Sequence, residues 1–435
     1  MATSRFLLAI SLLLASVTAV ASPSITHWSL PNGARVYFVR STALPMVQVE
    51  VVFDAGSARD PAGKYGLACF ANTMLDEGAG KWDADEIASR LDRIGAELDS
   101  GCGRDMATLG LRSLSSRKIL KPALDVFGQL LAAPTFPNES LTRERERVLV
   151  ALQRDAQSAS ATVSKAFYRT LYGDHPYAHH PRGDKSGLNA ITREDLESYR
   201  KRYYVGANAV LAIVGDLSVS QAKAVARQLI GTLPRGQKPA PIPPVADLDK
   251  PRRHGIEFPS TQTHIRVGQP AMRRDDPDYF ALYVGNYILG GGGMISRLFE
   301  EVREKRGLAY STYSYFFPMR RKGPFTVGLQ TENSQRDKAL ELVQQTLMRF
   351  IESGPTGEEL QAAKKHLTGG FPLRVDSNGK IVNYLAIIGF YQLPLTYLDD
   401  FIPKIEAVTV EQIRDAFRRR VNPQKLATVI LGGQS

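Results

Sequence analysis

One arrangement of polar and apolar positions occurs twice in this chain. A polar helix, ITREDLESYRKR (191–202), precedes the apolar run Leu211-Ala212-Ile213-Val214-Gly215, and near the end VTVEQIRDAFRRR (408–420) precedes Ala427-Thr428-Val429-Ile430-Leu431-Gly432. In each helix a threonine stands three residues before an acid or amide, Thr192 before Asp195 and Thr409 before Gln412. That is capping-box spacing, which satisfies orphan backbone donors at a helix start. Each apolar run is short, nearly continuous and closed by glycine, as expected of a mostly buried strand. The Pro-rich stretch RGQKPAPIPPVADLDKP (235–251) reads as an extended linker. The offset between the copies predicts a duplicated α/β unit of roughly two hundred residues, an ordinary domain size. The halves are then 22–234 and 252–435, joined by 235–251.

A different apolar pattern opens the chain. Arg5 precedes an apolar run over 6–20, and Ala19-Val20-Ala21 has the small-x-small form of a cleavage site. The run is short for a spanning helix, so residues 1–21 are expected to be a signal peptide cleaved after Ala21. Since no later apolar stretch approaches spanning length, the mature protein is expected to be soluble and exported, most simply into a bacterial periplasm, with no membrane partner. Removing Arg5 takes the formal charge from +11 to +10. The basic residues are scattered and no nucleic-acid motif is present, so nucleic acid is not an expected partner. The charge marks a solvated surface or attraction to acidic partners and peptides. The two cysteines, Cys69 and Cys102, exclude a disulfide-rich scaffold. In an oxidising compartment they either pair or serve as two small buried hydrophobes.

Candidate chemistry begins at GLACFANTM (66–74), where Cys69, Asn72 and Thr73 share one face of a helix by their i, i+3, i+4 spacing. Two histidines and a glutamate in those places hold zinc and supply a general base. A catalytic zinc needs about three protein ligands from His, Cys or carboxylate. Here only Cys69 binds zinc well, and neither Asn72 nor Thr73 acts as a base near neutral pH.

The surrounding FDAGSARDPAGKYGLACFANTMLDEGAG (53–80) resembles the signature of the pitrilysin and mitochondrial processing peptidase family, whose members carry His-x-x-Glu-His at these positions. The family's third ligand is a glutamate in a pattern like V-L-N-E-I. The matching VLVAL (148–152) places Ala151 there. The resemblance therefore implies a chain with all three ligands and the base replaced, unable to hydrolyse peptides alone. It covers nearly the whole mature sequence, including YGDHPY (172–177). The fold it implies is α+β: two homologous domains, each a mainly antiparallel sheet covered on one face by helices, forming half of a clam-like peptidase shell.

The second half carries LGGGGMISRLFEEVREKRGLAYSTYS (289–314), with Gly290, Gly291, Gly292 and Gly293 leading into a helix. It fits neither a Walker A loop nor G-x-G-x-x-G, which argues against a phosphate loop, and a tight turn that packs a helix close to a sheet is the plain reading. SRLFEEVREKRGLAYS is similar to the family's second-domain signature. There the arginine and tyrosine of R-G-L-A-Y reach across the closed shell to the zinc site. The residues that match are Arg306, implied to grip a substrate carbonyl, and Tyr310, implied to donate to the developing oxyanion. Taken alone, Arg306 could cap helix-end carbonyls and Tyr310 could be a half-buried strand residue.

The resemblance also places a peptide-binding sheet edge near GCGRDMATLGL (101–111) and lets the glycine-rich loop line the chamber. His175, His179 and His180 fall among Gly173, Pro176 and Pro181, which argues for a loop and against a metal-binding helix. The leading expectation is a non-catalytic subunit of a heteromeric periplasmic zinc metallopeptidase acting on peptides or unfolded segments. It has no cofactor of its own, and its partner is a related subunit with intact His-x-x-Glu-His and bound zinc. The alternative is a proteolytically inactive peptide-binding or scaffold protein, possibly homodimeric. A hydrolase using Cys69 or Cys102 as nucleophile ranks last, since no base stands at a useful spacing.

Overall fold

A computed structural model describes residues 23–433, so the leader expected at 1–21 lies outside the described residues. Its first sheet comprises β1 (Ile25–Ser29), β2 (Arg35–Arg40), β3 (Met46–Phe53), β6 (Glu97–Cys102), β7 (Ala107–Leu114) and β8 (Ala209–Gly215), in the order β1-β2-β8-β3-β7-β6. A small ribbon of β4 (Gly78–Ala79) and β5 (Trp82–Asp83) stands apart. The second sheet comprises β9 (Arg252–Glu257), β10 (Gln262–Met272), β11 (Ser311–Phe316), β12 (Gly323–Glu332) and β13 (Ala427–Gly432), in the order β11-β12-β10-β13-β9.

The sheets repeat one topology. In each, the last strand pairs in parallel with an early one, β8 with β2 and β13 with β9. All other ladders are antiparallel. β6 and β11 are therefore equivalent edge strands, and the segments preceding them, which hold the Cys69 helix and the glycine-rich loop, are equivalent too. Both predicted capping boxes form, at Thr192 with Asp195 and at Thr409 with Gln412. The fold is α+β with two homologous halves.

Strand β8 explains its unbroken apolar sequence. Leu211 and Ile213 join the core of the first half, while Val210, Ala212 and Val214 face a core built mainly from the second. Successive side chains of a strand point to opposite faces, so a run without polar residues means that both faces are covered. The second cover is a helix exchanged between halves. Helix Asn378–Tyr391 of the second half packs on β8, β3 and β2, and helix Ala159–Tyr172 of the first half packs on β13 and β10. Gly389 permits the close approach, since a Cβ there would lie 2.5 Å from Val210 Cγ1 and 2.7 Å from the Tyr37 ring. Each sheet is thus covered on two faces, not one, because each half lends a helix to the other.

The stretch 235–251 has no regular structure, yet it is held down. Its Ile242, Val245 and Leu248 are buried with Val163, Phe167 and Leu171 of the exchanged helix and with Ala427, Val429 and Leu431 of β13. Prolines cannot join a ladder, so the segment anchors through side chains and lone carbonyls: Ala240 O accepts from Arg59, Pro243 O takes a hydrogen bond from His175, and Ile242 O accepts from Arg321. It works as a belt across both halves.

Candidate functional site

Helix Leu67–Thr73 starts at Gly66 and is capped from a distance. Both carboxylate oxygens of buried Asp60 accept from its first backbone amides, those of Gly66 and Ala68, each at 2.7 Å. A carboxylate there also complements the helix dipole. His179 Nε2 donates to the same Asp60 (3.1 Å) and to Ser57 O (2.8 Å), with its ring stacked on Tyr65. Asp60 stands six and eight residues before the amides it caps, outside capping-box spacing, so sequence reasoning missed it.

Each metal position on this helix is occupied by something else. Cys69 is disulfide-bonded to Cys102 at the end of edge strand β6, which settles the pairing left open by the sequence. Asn72 is 2% exposed; its amide donates to Gly101 O and Thr108 O, both at 3.1 Å, and its oxygen accepts from Tyr204 OH at 2.9 Å. Thr73 is half-buried on the same helix, and Ala151 is half-buried on helix Asn138–Gln157. A sulfur in a disulfide is not a thiolate, and an amide, a hydroxyl and a methyl group do not make up a zinc donor set. These four residues do not fit zinc. Among the described residues no group of three or more His, Cys, Asp or Glu is placed to hold a metal.

Two turns before Ala151, Glu144 is buried and paired with Arg147 at 3.2 Å. Arg143 bridges it to Glu77. Burial first, then the charges of Glu77 and Glu144, raise the Asp76 carboxyl to about 6. This acidic group beyond the helix end was not singled out from the sequence, where its members are scattered among ordinary surface charges.

His175, His179 and His180 do lie in a loop, and they do not converge. His175 bonds Pro243 O at 2.9 Å and accepts from Tyr177 N, while His180 accepts from Arg182 N. Burial and the charges of Arg104 and Arg182 lower His180 to about 4, so it is neutral at physiological pH.

In the second half the glycine-rich loop forms a π-helical turn, Tyr287–Gly291, followed by a short 3-10 turn, Gly293–Ile295. Gly290 is buried against β11, where a Cβ would lie 2.5 Å from Ser314 N. Close packing of helix on sheet accounts for that glycine, and backbone exposure begins only at Gly291. Gly293 is exposed, and Met294 and Ile295 beside it are 72% and 69% exposed.

Arg306 lies in the turn after the helical segment and donates to Glu301 O at 3.1 Å and to the Glu301 carboxylate at 2.8 Å. Glu301 also pairs with Lys305 and Arg349. Tyr310 directly precedes β11, is 77% exposed, and rests its ring against the Arg303 guanidinium, 4.6 Å from the ring centre. It is not the half-buried strand residue that the bare pattern allowed. Arg306 does bond a helix-end carbonyl, though its ion pair is exposed and such pairs are worth only about 0–1 kcal/mol.

A duplicated α+β unit with a peptidase motif helix that lacks its metal ligands defines the class: a peptidase-like protein without a zinc site on that helix. The chain belongs to peptidase family M16. Residues 35–185 match the profile "Insulinase (Peptidase family M16)" and residues 190–367 match "Peptidase M16 inactive domain". It is similar to the solved peptidase M16 inactive domain from Pseudomonas fluorescens, at 40% identity over 94% of this chain and 98% of that one, with a TM-score of 0.91. It is 26% identical to the "Uncharacterized zinc protease YmxG" of Bacillus subtilis, over 91% of this chain and 95% of that protein. It is also 26% identical to the "Non-peptidase homolog YmxG" of Helicobacter pylori, over 98% of both. Among the described residues no helix is long and apolar enough to cross a membrane.

Proposed function

We propose that this protein is the non-catalytic subunit of a heteromeric zinc metallopeptidase, and that it lends Arg306 and Tyr310 to a zinc site held by a related partner with intact His-x-x-Glu-His. The observation that carries the reading is the contrast between the halves. The metal positions of the first are closed by a disulfide and buried hydrogen bonds, whereas Tyr310 in the second is 77% exposed and its hydroxyl takes no hydrogen bond within the described residues. Arg306 is released from Glu301 at small cost, and its guanidinium fork suits a peptide carbonyl. Gly291, Gly292 and Gly293, with Met294 and Ile295, offer bare backbone and apolar side chains to an extended peptide; Gly290 supports the loop from beneath. The substrates are peptides or unfolded segments. The disulfide supports export to the periplasm, because such bonds persist in oxidising compartments. The Cys-nucleophile reading loses its support, since both sulfurs are bonded.

The test is peptide hydrolysis by the purified mature chain, alone and mixed with the zinc-bearing relative from the same cell. No activity alone and activity on mixing is expected. Arg306→Ala or Tyr310→Phe then lowers kcat of the mixture about a hundredfold, the usual effect of losing one oxyanion donor. Full activity with both variants sinks the lending role. The alternative, an inactive peptide-binding or scaffold protein, draws on the equivalent edge strands β6 and β11. Silence in the mixture together with tight peptide retention would favour it.

A further inference from the structure

At the junction of the two halves and the belt lies a cavity of about 290 Å³ whose charged lining is Arg35, Asp54, Arg59, Lys238, Arg320 and Arg321. Five of those six are cationic. The single carboxylate is already engaged, because Arg59 takes both Asp54 oxygens at 2.8 Å. Arg320 Nε stands 3.6 Å from Asp54 Oδ2, beyond hydrogen-bond reach, and is buried without an acceptor. The other guanidinium bonds go to neutral carbonyls: Arg35 to Gly389 O, Arg59 to Ala240 O, Arg321 to Ile242 O and Arg320 to Phe390 O. Such bonds fix orientation without cancelling charge. Burial, and in smaller part the charge of Arg320, holds the Arg35 guanidinium below its usual range.

Crowded, partly desolvated cations with an orphaned donor are unfavourable unless an anion completes them. Forked guanidinium donors suit the planar or tetrahedral oxygens of carboxylates and phosphates. The volume is at the small end of ligand pockets, and Phe390, Ile242 and Pro241 supply apolar wall.

We infer that this junction cavity is a binding site for a small phosphate or carboxylate anion, which ties the first half, the belt and the second half together. Arg35 and Arg59 come from the first half, Lys238 from the belt, and Arg320 and Arg321 from the second. Neither Arg306 nor Tyr310 lines the cavity, and the inference does not depend on the peptidase reading.

Calorimetric titration of the full mature chain, at constant ionic strength set with chloride, tests it with two probes. Inorganic phosphate represents the free oxyanion, and N-acetyl-dialanine represents a peptide carboxy terminus. Saturable one-site binding of either is expected, and the tighter of the two identifies the source. Lys238→Gln changes an exposed side chain and should leave the melting temperature in chloride unaltered while weakening binding about tenfold, the value of one charge-assisted contact. Arg35→Gln should weaken it at least as much. If neither probe binds beyond chloride, or if both variants bind like the parent, the site does not exist.

Discussion

Glu50 on β3 lies opposite Gly110 of β7, which lies opposite Asp99 of edge strand β6. Burial, with a smaller push from the Asp99 charge, raises the Glu50 carboxyl to about 7, and burial raises Asp99 as well. A carboxyl raised on folding takes up a proton when the chain folds. Its contribution is therefore fully present below the unfolded value of about 4.5 and is lost as pH rises through about 7. Glu50→Gln should raise stability by about 1–3 kcal/mol at pH 8 and by nearly nothing at pH 4. Thermal melts of both proteins at the two pH values check this, and a gain that does not grow with pH would refute it. At this scale the sequence could be read where chemistry was missing. Cys69, Asn72 and Thr73 read by type and spacing as a helix face unsuited to zinc, and the family resemblance adds Ala151 as a fourth replaced position. What took its place was not legible, because Tyr204 and Asp60 reach the helix through folding and not through spacing.

At the scale of elements, the disulfide joins the motif helix to the end of edge strand β6 and closes a loop with a sequence separation of 33. It cross-links the same two elements that Asn72 joins through Gly101 O, so the motif helix has two ties to the edge strand. Chain-entropy reasoning values a loop of this length at about 3–4 kcal/mol. Paired replacement, Cys69→Ala with Cys102→Ala, should lower stability by that order and raise hydrogen exchange in β6 before the sheet centre. Equal exchange in β6 with and without the bond would show that Asn72 alone holds the edge. Helices with capping boxes and apolar strands were legible because their signals are local. The glycine-rich segment was legible only in part: the close packing at Gly290 follows from glycine itself, while the π-helical turn has no sequence mark.

On the scale of the whole molecule, the duplication was visible but the way its halves lock was not. The exchanged helices and the packed belt are long-range choices, and a Pro-rich composition reads the same whether a linker swings free or is held. The lock centres on buried Asp105, which accepts from Tyr177 OH at 2.5 Å, from Arg320 N at 2.7 Å and from Tyr391 OH at 3.0 Å. Those partners are 72, 215 and 286 residues away, and the last two belong to the second half. Burial, reinforced by the Asp105 charge, drives both tyrosine hydroxyls far above their usual range, so they remain donors at every physiological pH. Hydrogen bonds to a buried charge are worth about 1.5–3 kcal/mol each, and removing the acceptor strands its donors. Asp105→Asn keeps the shape but loses the charge and should cost about 2 kcal/mol; Asp105→Ala should cost about 3–5 kcal/mol. If the residue is the lock between halves, the exchange of backbone amides in the Asn variant rises at 319–322 and 388–391 while the centres of both sheets stay protected. A stability loss spread evenly over the chain, with no such local opening, would mean that the exchanged helices hold the halves without it.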